Sequence, residues 1–149
     1  MPSIAPSLLI VESNQEDSGS VVRALMQSGH DDTHVLARTA SEALDYLLAR
    51  GDHRGRDVRL QPKAVLVNLP EASASLELLR TLREQPATRL VPAVILASSF
   101  SERELAAAYA AGANSCLQRP SGTKELAEAV RRAGNYWSQL NVPVPVGAR

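Results

Sequence analysis

Four points in the chain place a polar side chain where a short apolar run gives way to a turn, and their chemical types bound what the chain could do. Glu12 closes Leu8-Leu9-Ile10-Val11, and Asn68 closes Ala64-Val65-Leu66-Val67. Ser98-Ser99 follows the run Ala93 to Ala97, and Arg119 stands before Pro120 after the run Ser115 to Gln118. A carboxylate in a partly buried crevice needs a compensating cation, so Glu12 calls for a metal ion or for pairing with Arg119 across the sheet edge. Asn68 is neutral and its nitrogen lone pair is delocalised, so it cannot act as an anionic nucleophile. Serines at a strand end suggest a hydrolase, but no Gly-x-Ser-x-Gly elbow surrounds Ser98. His30 and His34 have no acid or serine partners at recognisable spacing and read as surface groups, while His53 falls in a charged stretch and reads as solvated. The single cysteine, Cys116, reads as a small buried apolar residue, and its being alone excludes an internal disulfide.

The elements that would position these groups follow from hydrophobic periodicity. Residues 64–67 are four consecutive apolar positions lying between Pro62 and Pro70, the pattern of a strand covered on both faces. Residues 7–12 repeat it, a strand over 33–37 follows, and 93–97 and 115–118 complete five strands. Pro92 opens the fourth, where a missing amide donor does little harm. Between them run helical patterns. Asn14 caps a segment through Ser28 with Val21, Val22, Leu25 and Met26 on one face and Gly29 past its end. Thr39 and Glu42 form a capping box for a helix with Ala40, Ala43, Leu44, Leu47 and Leu48 inward, ended by Gly51. Residues 51–61 read as an exposed loop. A third helix spans 73–85 with Leu76, Leu79 and Leu82 inward. Ser101 and Glu104 box a fourth with Leu105, Ala108 and Tyr109, closed by Gly112. Ser121 caps the last, which carries Leu126, Val130, Ala133, Trp137 and Leu140 until Pro143 and Pro145 forbid continuation. Strands alternating with helices predict an α/β fold: a doubly wound, five-stranded parallel sheet in three α/β/α layers. Residues 1–6 form an extension, 7–140 the domain, and 141–149 a tail.

Composition narrows the function classes. The 149 residues suffice for one domain with a core. Sixteen basic residues balance sixteen acidic ones, so no electrostatic footprint for nucleic acid or an anionic membrane is present. No apolar run reaches the roughly 18 residues of a membrane span, and the chain is expected to be cytoplasmic.

The ordered pieces Leu8-Leu-Ile-Val-Glu12, Ala64-Val-Leu-Val-Asn68, Val91 to Ser99 and Gly112 to Pro120 resemble the receiver domain of bacterial two-component response regulators, whose fold is flavodoxin-like. The charged insertion before the third strand and the closing Tyr136-Trp137 resemble the stand-alone receivers that accompany phytochrome-type histidine kinases. The resemblance implies an aspartate phosphoacceptor at position 68, where this chain has Asn68. It implies acids that hold magnesium at the end of the first strand, where Glu12 matches and Ser13 replaces the second acid. A single carboxylate makes a poor magnesium site, so the ion is expected to bind weakly or not at all. The family's strand-4 hydroxyl falls on Ala97, its signalling aromatic on Cys116, and its lysine on Arg119, which keeps the charge as a planar fork. The turn after the third strand is one residue short. The family's lysine-proline bond is cis, and the sequence leaves the isomer at Arg119-Pro120 open.

These departures predict a pseudo-receiver that is not an enzyme. Asn68 is then either a neutral mimic of one signalling state or what remains once the chemistry became unnecessary. The alternative is a working phosphoacceptor for a phytochrome-type kinase through a non-standard residue. Expected partners are a histidine kinase or another signalling protein and a second copy of the chain. The homodimer face is placed on Arg103, Glu104, Glu128, Arg131, Tyr136 and Trp137, with aromatic anchors at its centre.

Overall fold

The computed structural model of the chain describes residues 6–13 and 34–145. The helix expected from Asn14 to Ser28, its stop at Gly29, and His30 lie outside the described residues. Strands β1 (Leu8–Glu12), β2 (His34–Ala37), β3 (Ala64–Asn68), β4 (Ala93–Ala97) and β5 (Ser115–Gln118) pair in parallel in the order β2-β1-β3-β4-β5. Every residue of β1 and β3 is buried, as unbroken apolar runs require when both faces of a sheet are covered.

Alternate side chains sort into two cores. Leu9, Val11, Val65, Val67 and Ile95 pack on one face beneath α1 (Ala40–Leu47), α2 (Ala72–Glu84) and α3 (Glu102–Ala111). Leu8, Ile10, Leu66, Val94 and Leu96 face the other way, where Leu126 and Val130 of α4 (Thr123–Asn135) and the half-buried Trp137 cover them. This is the three-layer arrangement the alternation of strands and helices predicts. Pro92 sits where its missing donor costs nothing: its carbonyl accepts from Val65 N–H, and the next amide, Ala93, donates to Asn114 Oδ1 at 2.9 Å.

Helix ends follow expectation at α3 and depart from it at α1 and α4. Ser101 and Glu104 make the full capping box, and Gly112 closes α3 at φ 113°. At α1, Thr39 Oγ1 accepts from Glu42 N–H at 3.0 Å, but the Glu42 carboxylate accepts from Arg38 rather than from the cap, so the box is half formed. That helix ends at Leu47, earlier than Gly51 suggests, because Ala49 takes the left-handed turn at φ 54° and Arg50 N–H reaches back to Asp45 O. Gly122, not Ser121, occupies the cap of α4, without a side-chain hydrogen bond. Tyr109 was expected inward and is 51 % exposed; its hydroxyl instead accepts from the Cys116 N–H of β5 at 3.2 Å.

The stretch 51–61 is more than an exposed loop. Gly51–His53 form a 3-10 turn, His53 meets the Tyr46 ring edge-on, and the Arg56 guanidinium stacks 3.7 Å over that ring while donating to Tyr46 O and Leu60 O. Gln61 is buried and donates to Leu47 O and Val58 O. After α4 the chain winds more widely, as a π-turn over Tyr136–Leu140. The added residue per turn rotates Leu140 off the buried stripe, leaving it 73 % exposed, and brings in Ser138, whose carbonyl accepts from Lys63 Nζ at 2.9 Å.

Leu66 lies at the centre of the α4-side core at 2 % exposure. Leu66→Ala is therefore expected to lower stability by about 2 to 5 kcal/mol through lost transfer energy and a residual cavity, measured by urea unfolding. A loss below about 1 kcal/mol would contradict its central place.

Candidate functional site

Parallel pairing of β1 with β3 sets Glu12 directly opposite Asn68 at the carboxyl edge of the sheet. Open α/β folds build their sites at this edge, where strand order reverses. Glu12 is fully removed from solvent and Asn68 nearly so, at 4 %. Asn68 Nδ2 donates to Glu12 Oε1 at 2.7 Å, and Asn68 Oδ1 accepts from Arg119 Nη1 at 2.8 Å. The amide thus stands between a carboxylate and a guanidinium, its positive end toward the anion and its negative end toward the cation. Both bonds are charge-assisted and each polarises the other. The sequence leaves Glu12 with a choice between a metal ion and Arg119; the geometry links it to Arg119 through the Asn68 amide.

Arg119 reaches this point from just past β5, two strands away, a span of roughly 10 Å at ordinary strand spacing. Its backbone N–H donates to Ala97 O at 2.6 Å, and the Arg119–Pro120 peptide is trans. At Ala97 the intervening strand contributes only a methyl group, and Ser98 and Ser99 are exposed beyond it. Ser13 is exposed next to Glu12. Cys116 is half-buried rather than buried, with burial pushing its thiol pKa up.

The donor set is a poor match for a hard divalent cation. Such an ion takes carboxylate, carbonyl and water oxygens. Here the group facing Glu12 Oε1 is an N–H donor, and among the described residues no three His, Cys, Asp or Glu side chains gather at one point. His34 opens β2 at the amino end of the sheet, opposite the site, and burial lowers its pKa.

The expected interface residues are spread over α3, α4 and the π-turn. Glu104 accepts from Ser101 N–H, and Glu128 is held by Arg131 and Arg132 of its own helix, the Arg131 contact first in lowering its pKa to about 2. Arg103 is exposed. Trp137 packs on the inner core while Tyr136, edge-on to it, is 48 % exposed.

Two features carried no local sequence signal. Arg83 on α2 donates to Gly112 O, Val91 O and Asn114 Oδ1, tying the far ends of α2 and α3 together. A cavity of about 320 Å³ opens between the near ends of the same helices, beside Ala97.

No protein-family model matches the chain. The probable methanogenesis regulatory protein FilR2 of Methanothrix harundinacea is 30 % identical over 136 residues, covering 90 % of this chain and 84 % of the relative. Response regulator Rcp1 of Synechocystis sp. is 26 % identical over 132 residues, 87 % of each chain; its Mn2+-bound crystal structure superimposes with a TM-score of 0.81 at 23 % identity, covering 94 % of this chain and 99 % of that one. The bacteriophytochrome response regulator AtBRR matches at 32 % identity and a TM-score of 0.69, over 95 % of this chain and all of that one (100 %).

Asn68→Asp would set a second carboxylate against Glu12 Oε1. One proton of that pair would then be held to higher pH in the folded state than in the unfolded chain, by a unit or more, at ~1.4 kcal/mol per unit. A raised folded pKa contributes stability below the unfolded value and loses it as pH rises. Asn68→Asp is therefore expected to match the parent near pH 4 and to fall below it by pH 7.5 in urea unfolding without divalent ions. Equal stability at both pH values would show that the amide is not compensating Glu12.

Proposed function

Because the chain belongs to the response-regulator receiver family of two-component signal transduction, we propose that it acts there as an interaction module whose output does not depend on phosphorylation. The observation that carries this reading is the Asn68 amide. It occupies the position at which the family resemblance places the phosphoacceptor, it is not a nucleophile, and both its ends are engaged. Ala97 offers no hydroxyl to a phosphoryl oxygen, and the site binds magnesium weakly or not at all. The module turns over no substrate. Its signalling partner is a histidine kinase or another signalling protein, and the likeness to Rcp1 and to a bacteriophytochrome response regulator supports a kinase of phytochrome type. Incubation with acetyl phosphate and magnesium is expected to leave the intact mass unchanged. A gain of one phosphate, labile in base and mapped to Asn68 or a neighbour, overturns the reading.

The second partner in this proposal is another copy of the chain. β5 is the outer strand of the sheet, and beside it α4 leads into exposed Tyr136, Leu140 and Val142, apolar groups with little reason to face water in a monomer. Since Glu104 and Glu128 are already engaged within their own chain, the association rests on this apolar end rather than on cross-subunit ion pairs. Light scattering of the full chain is expected to show a dimer, and truncation after Leu140 to weaken it without loss of fold. A monomer at all concentrations up to the tens of micromolar contradicts this.

A further inference from the structure

The cavity between α2 and α3 is built like a ligand site. At about 320 Å³ it falls at the lower end of the volumes that small-molecule sites have, roughly 300 to 1,000 Å³. Its walls are Leu69, Leu76, Leu79 and Ile95, with Phe100 at the side and the small Ala107 and Ala108 leaving the room. Leu79 and Ile95 are core residues, so the cavity reaches down to the sheet rather than lying on the surface.

Its lining includes the neutral polar Ser75, Ser98 and Ser99 and three charged residues, two of them cationic. Arg103 and Arg119 both line it. Glu104 lines it too, but its carboxylate is turned into the capping box, accepting from Ser101 N–H at 2.9 Å. The walls come from Ala72 to Leu79 of α2 and from Arg103 to Ala108 of α3, so two helices of 13 and 10 residues begin beside the cavity and turn their positive ends to its side. The N-cap of α2, Glu71, makes no side-chain capping bond.

From this apolar interior beneath a cationic mouth we propose that the cavity binds a small amphipathic carboxylate, its apolar body against Leu76, Leu79 and Phe100 and its carboxylate on Arg103. Neutral apolar molecules would leave the mouth unsatisfied, and small inorganic anions would leave the interior empty. Occupancy would also have a mechanical consequence. Arg83 pins the C-terminal ends of α2 and α3 through Gly112 and Asn114, so a ligand between their free ends sets how far α3 stands from α2. The carboxylate is placed on Arg103 rather than on Arg119, which already donates to Asn68 Oδ1, so the proposal does not rest on the reading of Asn68 as a non-acceptor.

The test is a titration of the isotopically labelled full chain with three probes, followed by amide chemical shifts. Phenylacetate has both body and charge, phenylacetamide the body alone, and acetate the charge alone. Phenylacetate is expected to give saturable shifts confined to the cavity residues, with a Kd of about 0.1 to 10 mM, as suits a ligand of roughly ten non-hydrogen atoms. The other two should bind about tenfold more weakly or not at all. Arg103→Gln, a change at an exposed side chain, should weaken phenylacetate several-fold, and Ala107→Leu should abolish its binding by filling the space; if Ala107→Leu does not fold, Arg103→Gln decides alone. Equal binding of phenylacetamide, equal binding of acetate, indifference to Arg103→Gln, or no saturable shift with any probe would each overturn the proposal. A phosphorylated mass with cavity binding intact would overturn only the function proposed above.

Discussion

A carboxylate wholly withdrawn from water at the end of a central strand is the constraint around which the carboxyl edge of this protein is arranged. Left alone, Glu12 would be protonated or would destabilise the fold. The compensation comes from two other strands: β3 supplies a neutral amide at the matching register, and the end of β5 supplies a guanidinium that the amide relays. An amide can do this because it has a donor and an acceptor at opposite ends. A carboxylate at the same place would have two acceptors, and the pair of anions would need a cation between them. The exchange of one oxygen for one nitrogen therefore changes the electrostatic requirement of the whole edge, not the reactivity of one residue alone.

The two ends of the sheet differ in how firmly they are held. At the amino end and beneath the helices, long side chains bridge elements by donating to backbone carbonyls: Arg83 to the loops around α3, Lys63 to the π-turn, Arg56 to the chain around Tyr46. Each satisfies carbonyls that a loop or helix terminus would otherwise leave unpaired. At the carboxyl end, α2 and α3 diverge around a cavity lined in part by alanines. Bridges at one end and a cavity at the other leave room between the two helices near their N-terminal ends.

Much of the fold was legible because the inner strands are short, largely apolar and punctuated by proline and glycine. The bounds of β4 and β5 follow directly from their sequence, as do the capping box at Ser101 and the left-handed stop at Gly112. Sequence reading failed where tertiary contacts decided the outcome. Tyr109 has helical spacing for burial, yet an amide on the outer strand gives its hydroxyl a partner at the surface. Leu140 keeps the period of an α-helix, but the chain there is no longer one. Charge in residues 51–61 suggested solvation, whereas Arg56 spends its charge on a ring face and two carbonyls. In the site, the identities of Glu12, Asn68 and Arg119 could be read, and their order could not. That an amide would separate acid from base depends on strand register, which exists only after folding.

A conventional chemical switch works by changing the charge at a fixed place. The relay at Asn68 has no such step available, because its neutral member stays neutral across ordinary pH and its charged members compensate each other. On the function proposed above, a change of state would come from binding energy, since a ligand moves a conformational equilibrium by its difference in affinity between the two states. The elements positioned to express such a difference are α3 and the strand that follows it, since α3 is pinned at Gly112, borders the cavity at Arg103 and Glu104, and is linked by Tyr109 to the outer amide of β5. Tyr109 lies one turn before the pinned Gly112, so α3 and the edge strand are tied together at the same end of the helix. In that arrangement the buried relay orders the edge, and the N-terminal end of α3 borders the cavity beside it.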